Sequence, residues 1–553
     1  MTVASDGFSR CYESLLRGLY DCTDRIVLNA YYPMAQSGGG FRAWWRKMYG
    51  SDETLDDTHL MRLAGRFSRR ARAWAKKHGV PFVDARRDER KHEIAERYRP
   101  TDPKFRGIFL IIAGRAPAPL RHIRRFGKGG IEVSRKCKPY PYVTHYSFHL
   151  IDPQWGHVTI KVCGHPPFDA QVILNGHEQG ACVLRRKGVA FRQEENCFTE
   201  LADDADLAAV AETLRSPIAI GLLRQVCDRW LYSACLCFVL SPEQQKQCGF
   251  YYEYSVYQGE YSRNLLFDCA ATMERLVHAL IDRASGLLQA QTVRAVFGYR
   301  TRPHRRRRSN KRPRFEVVIE RPTYDLVVIK LHYDKLTLKI YTKGEHVLRI
   351  ESTIHNARML KCGNSLAKYP RILEWLRGAL ERFLDVVSAA DASFVDTGQM
   401  DALPAPSCVG TTRVGGVDVN RPRMRAVLQA VVALSWRPDG FTSADLAAKV
   451  REIQRCAPPA YTTRQASYDL KKLRGKALVQ RRGLSRRYEA PPEGLRVMVA
   501  LVVLREKVIA PLLAGATNPQ PAARPATLSD LDAHYRIIQT NMKGLFHDLG
   551  IAA

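Results

Sequence analysis

Gly107-Ile-Phe-Leu-Ile-Ile-Ala-Gly114 is an apolar run without a polar break, the pattern of a buried central strand. Around it the period changes. Arg25 to Tyr32 predicts an earlier strand, followed by the Gly38-Gly-Gly40 loop and a helix near Phe41 to Met48. From Thr58 to Lys77, Leu60, Leu63, Phe67, Ala71 and Trp74 recur at helical spacing, while Arg62, Arg66, Arg69, Arg70, Arg72, Lys76 and Lys77 cover much of the remainder. Tyr142 to Asp152, His157 to Cys163 and Ala170 to Leu174 alternate and break at Pro153-Gln-Trp-Gly156 and Gly164-His-Pro-Pro-Phe168, which predicts a sheet with Asn175-Gly176 as a hairpin turn. Several helices are expected between Ala202 and Arg283, and the longest is expected from Phe267 to about Leu288.

The second half begins with Arg302 to Arg314, where eight positive charges in thirteen residues, two prolines and no acid predict a solvated loop. Phe315 to Glu320, Asp325 to Tyr333, Leu336 to Tyr341 and Val347 to Ile354 then read as four successive strands with short turns, and Tyr369 to Val387 as a helix. An Ala-, Pro-, Gly- and Thr-rich stretch from Asp391 to Asn420 reads as a linker. Beyond it, Pro422 to Leu434 gives a helix, Phe441-Thr-Ser-Ala-Asp445 opens a second, and Thr462 or Thr463 caps a third. Leu478 to Arg481 with Arg487 to Ala490 forms a wing. Leu495 to Leu513 closes this unit, and Pro-rich 518–526 leads to a short final helix.

The fold class expected is α+β: a multidomain chain with a mixed or antiparallel sheet body, helical insertions and a C-terminal winged helix. Its regions are 1–200, basic α/β; 201–300, mainly helical; 301–390, basic loop, meander and helix; 391–420, linker; 421–515, winged helix; and 516–553, tail. Composition sharpens this. At 553 residues with 45% apolar content, the chain has material for several cores. A formal charge of +31, from 86 Lys and Arg against 55 Asp and Glu, attracts polyanions and makes nucleic acid the expected partner, duplex DNA with a structured RNA as the addition. No run of about 18 uncharged apolar residues and no prenylation box is present, so no membrane partner is expected. The 14 scattered cysteines read as buried small hydrophobes and free thiols of a reducing compartment.

Nucleic-acid contacts are assigned to three basic groups. Arg305, Arg306, Arg307, Arg308, Lys311 and Arg312 lie in the loop, and Arg66, Arg69 and Arg70 on the basic helix. Arg464, Gln465, Ser467, Lys471 and Lys472 lie on the third C-terminal helix, with Arg481, Arg482, Arg486 and Arg487 around the wing. For chemistry, Glu178, Glu260 and Glu351 stand in neighbourhoods short of acid or rich in base, and carboxylates in a positive groove are what a metal-dependent phosphodiesterase requires. They are assigned as catalytic residues and Mg2+ ligands, each weighed against a simple ion-pair role. Zinc ranks below Mg2+, because Cys163-x-His165 stands without a second doublet; His157, Asn175, His177 and their neighbours read instead as a turn network. No Gly-rich Lys-Ser/Thr phosphate loop and no Tyr-x-Asp-Asp signature appears.

Ile108 to Gly114 with Ala116-Pro-Ala-Pro119, Asp152-Pro-Gln-Trp-Gly-His157, Gly164-His-Pro-Pro-Phe168, Asn175-Gly-His-Glu178, Leu348-Arg-Ile-Glu351 with Asn356, and the C-terminal helices together resemble a widespread, many-copy family of uncharacterised bacterial proteins. The resemblance covers most of the chain and implies a mobile genetic element. The resulting expectation is a nucleic-acid-binding protein of such an element in the bacterial cytoplasm at the nucleoid, a metal-dependent nuclease working as a ribonucleoprotein. A non-enzymatic winged-helix regulator or RNA-packaging protein is the alternative.

Overall fold

The computed structural model describes residues 6–86, 89–127, 130–135, 138–194, 196–274, 276–277, 315–323, 326–333, 336–360, 362–391, 402–437, 439–455, 460–503, 505, 533–534, 536–538 and 540–541. It is a mixed α and β protein with a large mixed sheet, and the chain divides into two compact units. The first holds Leu16–Asp268 and Tyr333–Arg377; the second holds Ala4–Leu15, Cys269–His332 and Gly378–Ala553. The basic loop with Arg305, Arg306, Arg307, Arg308, Lys311 and Arg312 lies outside the described residues, as does most of the helix expected from Phe267; Phe267 itself ends a strand.

Nine strands of the first unit form one sheet: β1 (Leu16–Tyr31), β2 (Phe82–Asp84), β3 (Gly107–Pro117), β4 (Tyr142–Asp152), β5 (Gly156–Cys163), β6 (Ala170–Leu174), β7 (Glu253–Phe267), β8 (Leu336–Lys343) and β9 (Val347–Ile354). They lie in the order β8-β9-β7-β1-β6-β5-β4-β3-β2, antiparallel except for the β2–β3 pair. Segments read from sequence as three regions thus contribute to one sheet. Phe315–Thr323 and Leu326–Tyr333 are strands as expected.

Because successive side chains of a strand point to opposite faces, the ladder registers sort the residues. One face carries Ile26, Leu28, Tyr146, Phe148, Leu150, Val158, Ile160, Val172 and Leu174, all buried. Helix α1 is Gly38–Tyr49, and α2 is Asp57–Lys77, started by Asp56 accepting from the His59 N–H at 2.7 Å. The α2 residues Leu60, Leu63, Phe67, Ala71 and Ala75 are buried, with Phe67 stacked on Tyr146 at 4.5 Å between centroids. The other face carries His145, Ser147, His149, Thr159, Lys161, Gln171, Asn29, Arg25, Gln258, Glu260, Thr353, Glu351, Lys339 and Tyr341. Of these, Arg25 is exposed, and Lys161, Gln171, Asn29, Gln258, Glu260, Lys339 and Tyr341 are half-buried.

Helices α3 (Lys91–Arg97) and α4 (Gly176–Lys187) stand on the polar face, α3 burying Ile94 and Ala95 against Leu110 and Ile112. Asn175 does not form the expected hairpin turn. Its side chain accepts from the His177 N–H at 2.8 Å and starts α4, whose Ala181 and Leu184 join the cluster of Tyr20, Cys22, Phe198 and Leu266. Gly176 is required there, since a Cβ would collide with the carbonyl oxygen of Thr23. Helices α5 (Ala205–Arg215) and α6 (Ile218–Ala234) complete this part of the unit.

The second unit contains α7 (Pro422–Leu434), α8 (Ser443–Gln454), α9 (Thr463–Gly475), a hairpin of Gln480–Arg481 and Tyr488–Glu489, and α10 (Pro492–Val503). Thr442 caps α8 and Thr462 caps α9, each in a reciprocal box with Asp445 or Gln465. Phe441 bridges to Tyr488. Val427, Val431, Leu446, Val450, Leu470, Leu473, Leu478 and Met498 form its core. The expected linker is structured in part: Ser407–Val409 pairs with Thr412–Val414, and Lys476 donates to the Ala402 carbonyl at 2.6 Å. Among the described residues no helix is long and apolar enough to cross a membrane.

Candidate functional site

Two surfaces carry chemistry. On the polar sheet face, Glu351 is enclosed: Lys339 Nζ lies 2.5 Å from Oε1, Thr353 donates to Oε1 at 2.7 Å, and the Tyr341 hydroxyl donates to Oε2 at 2.8 Å. Burial opposes its ionisation, but Lys339 and Arg349 beside it hold the carboxyl down at about 2. Burial also works against the Lys339 cation, which Glu351 and Glu260 sustain, so its pKa is raised. Glu260 pairs across the ladder with Thr353 on one side and Arg25 on the other, and accepts from Gln258 at 2.8 Å. It is half-buried, and Lys339 and Arg25 act on it to favour its charged form. Burial and the neighbouring Glu351 carboxylate push it up to about 7. A carboxyl there changes charge near neutrality, as a general base must.

Behind this pair lies a second charged group at the bulge where β1 gains a residue between Thr23 and Arg25. Asp24 and Arg349, 1% and 0% exposed at their side chains, form an ion pair, and His177 Nδ1 stands 2.8 Å from Asp24 Oδ1. Burial would raise Asp24, but Arg349 and His177 lower it, while burial lowers His177 against the opposing pull of Asp24. Tyr20 reaches His177 Nε2 at 3.2 Å, and Cys22 Sγ lies 3.3 Å from Nδ1. Sequence reading missed Asp24, Arg349, Lys339 and Cys22, because a lone charge in an apolar strand names no partner and theirs are far along the chain.

Of the three glutamates, the structure brings Glu260 and Glu351 together on one face. Glu178 sits in the first turn of α4, where Arg99 Nη2 donates to both carboxylate oxygens at 2.8 Å and the His157 N–H approaches at 3.4 Å; none of these contacts ties it to the other two. Toward β4 the face carries imidazoles. His149 Nδ1 meets His157 Nε2 at 3.2 Å, and burial depresses His149 to about 3 and His157 to about 4. They are hydrogen-bonding groups of the sheet rather than parts of a turn.

The second surface is on α9. Ala466, Asp469, Leu470 and Leu473 face inward, with Asp469 held by Arg423 at 2.8 Å and the Tyr461 hydroxyl at 2.8 Å. Arg464, Tyr468 and Lys471 are exposed, Ser467 and Lys472 are half-buried, and Lys472 stands 5.1 Å over the Tyr468 ring. Gln465 is used in the cap, accepting from the Thr462 N–H at 2.8 Å. At the hairpin, Arg481 braces the tip by donating to the Ser485 carbonyl at 2.5 Å, and Arg487 pairs with Asp439 at 3.0 Å. Arg482, Leu484 and Arg486 are exposed. On α2, Arg69 and Arg70 are exposed and Arg66 is half-buried.

No family model matches the chain, and no curated protein matches it. Among solved structures, the di-domain ARO/CYC BexL from the BE-7585A biosynthetic pathway matches at 10% identity over 51% of this chain and 89% of that one, with a TM-score of 0.14, too low to carry an argument.

Proposed function

We propose that the chain is a nucleic-acid-binding protein whose second unit is a winged helix docking on a duplex, with α9 in the groove and the Gln480–Glu489 hairpin as the wing on the backbone. The observation that carries this reading is the two-sidedness of α9. Its inward positions close an apolar core, while Arg464, Ser467, Tyr468 and Lys471 recur three or four residues apart along the opposite side, so they share one face. Arg482 and Arg486 at the hairpin tip add cations where a wing meets phosphates. The net charge of +31 supplies the long-range field. Anisotropy titrations of labelled duplex DNA, single-stranded DNA and duplex RNA test the reading. Tightest binding to a duplex, with a log–log salt slope near about −9 if about ten phosphates are engaged, supports it. A slope of magnitude about one or two on every probe contradicts it.

Glu260 favours a second reading for the first unit, hydrolysis of a phosphodiester as in a mobile-element nuclease. A carboxylate near its own pKa can take the proton of a water attacking phosphorus, while exposed Arg25 and half-buried Lys339 offset the charge on the phosphoryl oxygens. A Mg2+ ion shared by Glu260 and Glu351 would require Lys339 to release Glu351, and one at Glu178 would compete with Arg99. Glu260→Gln tests this reading: binding retained with cleavage of a bound duplex lost supports it, and undiminished cleavage contradicts it.

A further inference from the structure

The group behind Glu260 has a geometry that ion pairing does not explain. Cys22 Sγ, His177 Nδ1 and one Asp24 carboxylate oxygen all lie within 4.8 Å of one another, and the three residues are 8%, 0% and 1% exposed. A single ring nitrogen has one proton or one lone pair, yet Nδ1 faces both the thiol at 3.3 Å and the carboxylate at 2.8 Å. If Nδ1 carried a proton for Asp24, the contact would be a buried charge-assisted hydrogen bond. Asp24 is buried, with Oδ2 facing the Arg349 guanidinium and Oδ1 facing the His177 ring, and the Cys22 thiol stands against the same ring nitrogen. Sulfur, ring nitrogen and carboxylate oxygen thus meet at one buried place.

We propose that Cys22, Asp24 and His177 form a binding site for a divalent ion of the zinc class. Sulfur, imidazole nitrogen and carboxylate oxygen are the donor set that zinc takes, and three protein donors leave one position for a water molecule. Around them stands the support that a ligating histidine needs. The Tyr20 hydroxyl lies 3.2 Å from Nε2 and already accepts from the Phe198 N–H at 2.9 Å, so its remaining lone pair can receive an Nε2 proton and leave the Nδ1 lone pair for the ion. Arg349 occupies the other Asp24 oxygen, which makes Asp24 a one-oxygen donor. Gly176, which lets α4 start against Thr23, is what brings His177 to Asp24. The site is distinct from the Mg2+ assignment at Glu178, Glu260 and Glu351 and does not depend on either reading above.

The test uses the full chain, stripped with chelator and titrated with Zn2+ and with Co2+ alone. We expect about one ion per chain, and for Co2+ the visible bands of a low-coordinate site with a thiolate charge-transfer band. Cys22→Ser and His177→Gln should abolish stoichiometric uptake, Tyr20→Phe should weaken it about 10- to 100-fold, and Cys408→Ser, an exposed cysteine of the second unit, should leave it unchanged. Lack of stoichiometric uptake by the parent, a cobalt spectrum without sulfur charge transfer, or uptake that Cys22→Ser and His177→Gln leave intact would each overturn the proposal. Should the two ligand variants fail to fold, the parent's cobalt spectrum decides alone.

Discussion

The polar sheet face around Glu351 and the outward side of α9 are both rich in charge, yet they use it in opposite ways. On the sheet, Arg349, Lys339, Asp24 and Glu351 are enclosed and matched with one another, so each cation has a carboxylate that would be left exposed to a low dielectric if the cation were removed. On α9, Arg464 and Lys471 project into solvent, where a pair would contribute little to stability and a free charge costs little. Enclosed charge fixes the relative position of strands; exposed charge is available to a polyanion. Substitutions should therefore separate into those that unfold and those that only unbind.

The largest effect is expected at Arg349. Arg349→Met leaves Asp24 buried without its cation and should lower the stability of the first unit by about 3–5 kcal/mol in urea unfolding, or prevent folding. A loss below about 1 kcal/mol would mean that Asp24 is not held by this pair. Next is Glu260, whose folded pKa of about 7 lies above its ordinary value of 4.5. Below about pH 4.5 the carboxyl is protonated in both states. Between about 4.5 and 7 the unfolded chain loses that proton while the folded one keeps it, so this residue makes stability fall as pH rises, and the loss is complete above about 7. Glu260→Gln should match the parent at pH 4.5 and exceed it by about 1–3 kcal/mol at pH 8; an identical pH profile contradicts the shift.

In the second unit, Thr462→Ala removes the cap of α9 and should cost about 1 kcal/mol. It sharpens the comparison because it disturbs the helix without touching its outward charges. The smallest stability effect belongs to Arg464→Ala and Lys471→Ala, within about 0.5 kcal/mol of the parent by thermal unfolding. Their effect should appear on duplex affinity instead.

The two regions also differed in how far the sequence disclosed them. The C-terminal helices were legible because their signals are local: Thr462 three residues before Gln465, apolar positions at Ala466, Leu470 and Leu473, and the Arg481-Arg-Gly-Leu-Ser-Arg486 turn. The strands from Leu336 to Ile354 were legible for the same reason. The sheet site was read only in part. Glu260 and Glu351 stood out by composition, but what makes them a pair is the β7–β9 register, and what places Asp24 against Arg349 is a bulge and two strand crossings. The alternation His145-x-Ser147-x-His149 with Thr159-x-Lys161 held the signal for a polar sheet face. Asn175-Gly176 misled because Asn before Gly signals a turn; the helical spacing of Ala181 and Leu184 behind it should have outweighed that signal.

The claim that the exposed cations of α9 engage phosphates is tested most directly by the salt dependence of duplex binding, compared between the parent and the Arg464→Ala/Lys471→Ala double variant. Weaker binding on every duplex sequence, with the log–log slope reduced in magnitude by about 2, is the predicted result. An unchanged slope and affinity in a double variant that unfolds at the parent's temperature would contradict it.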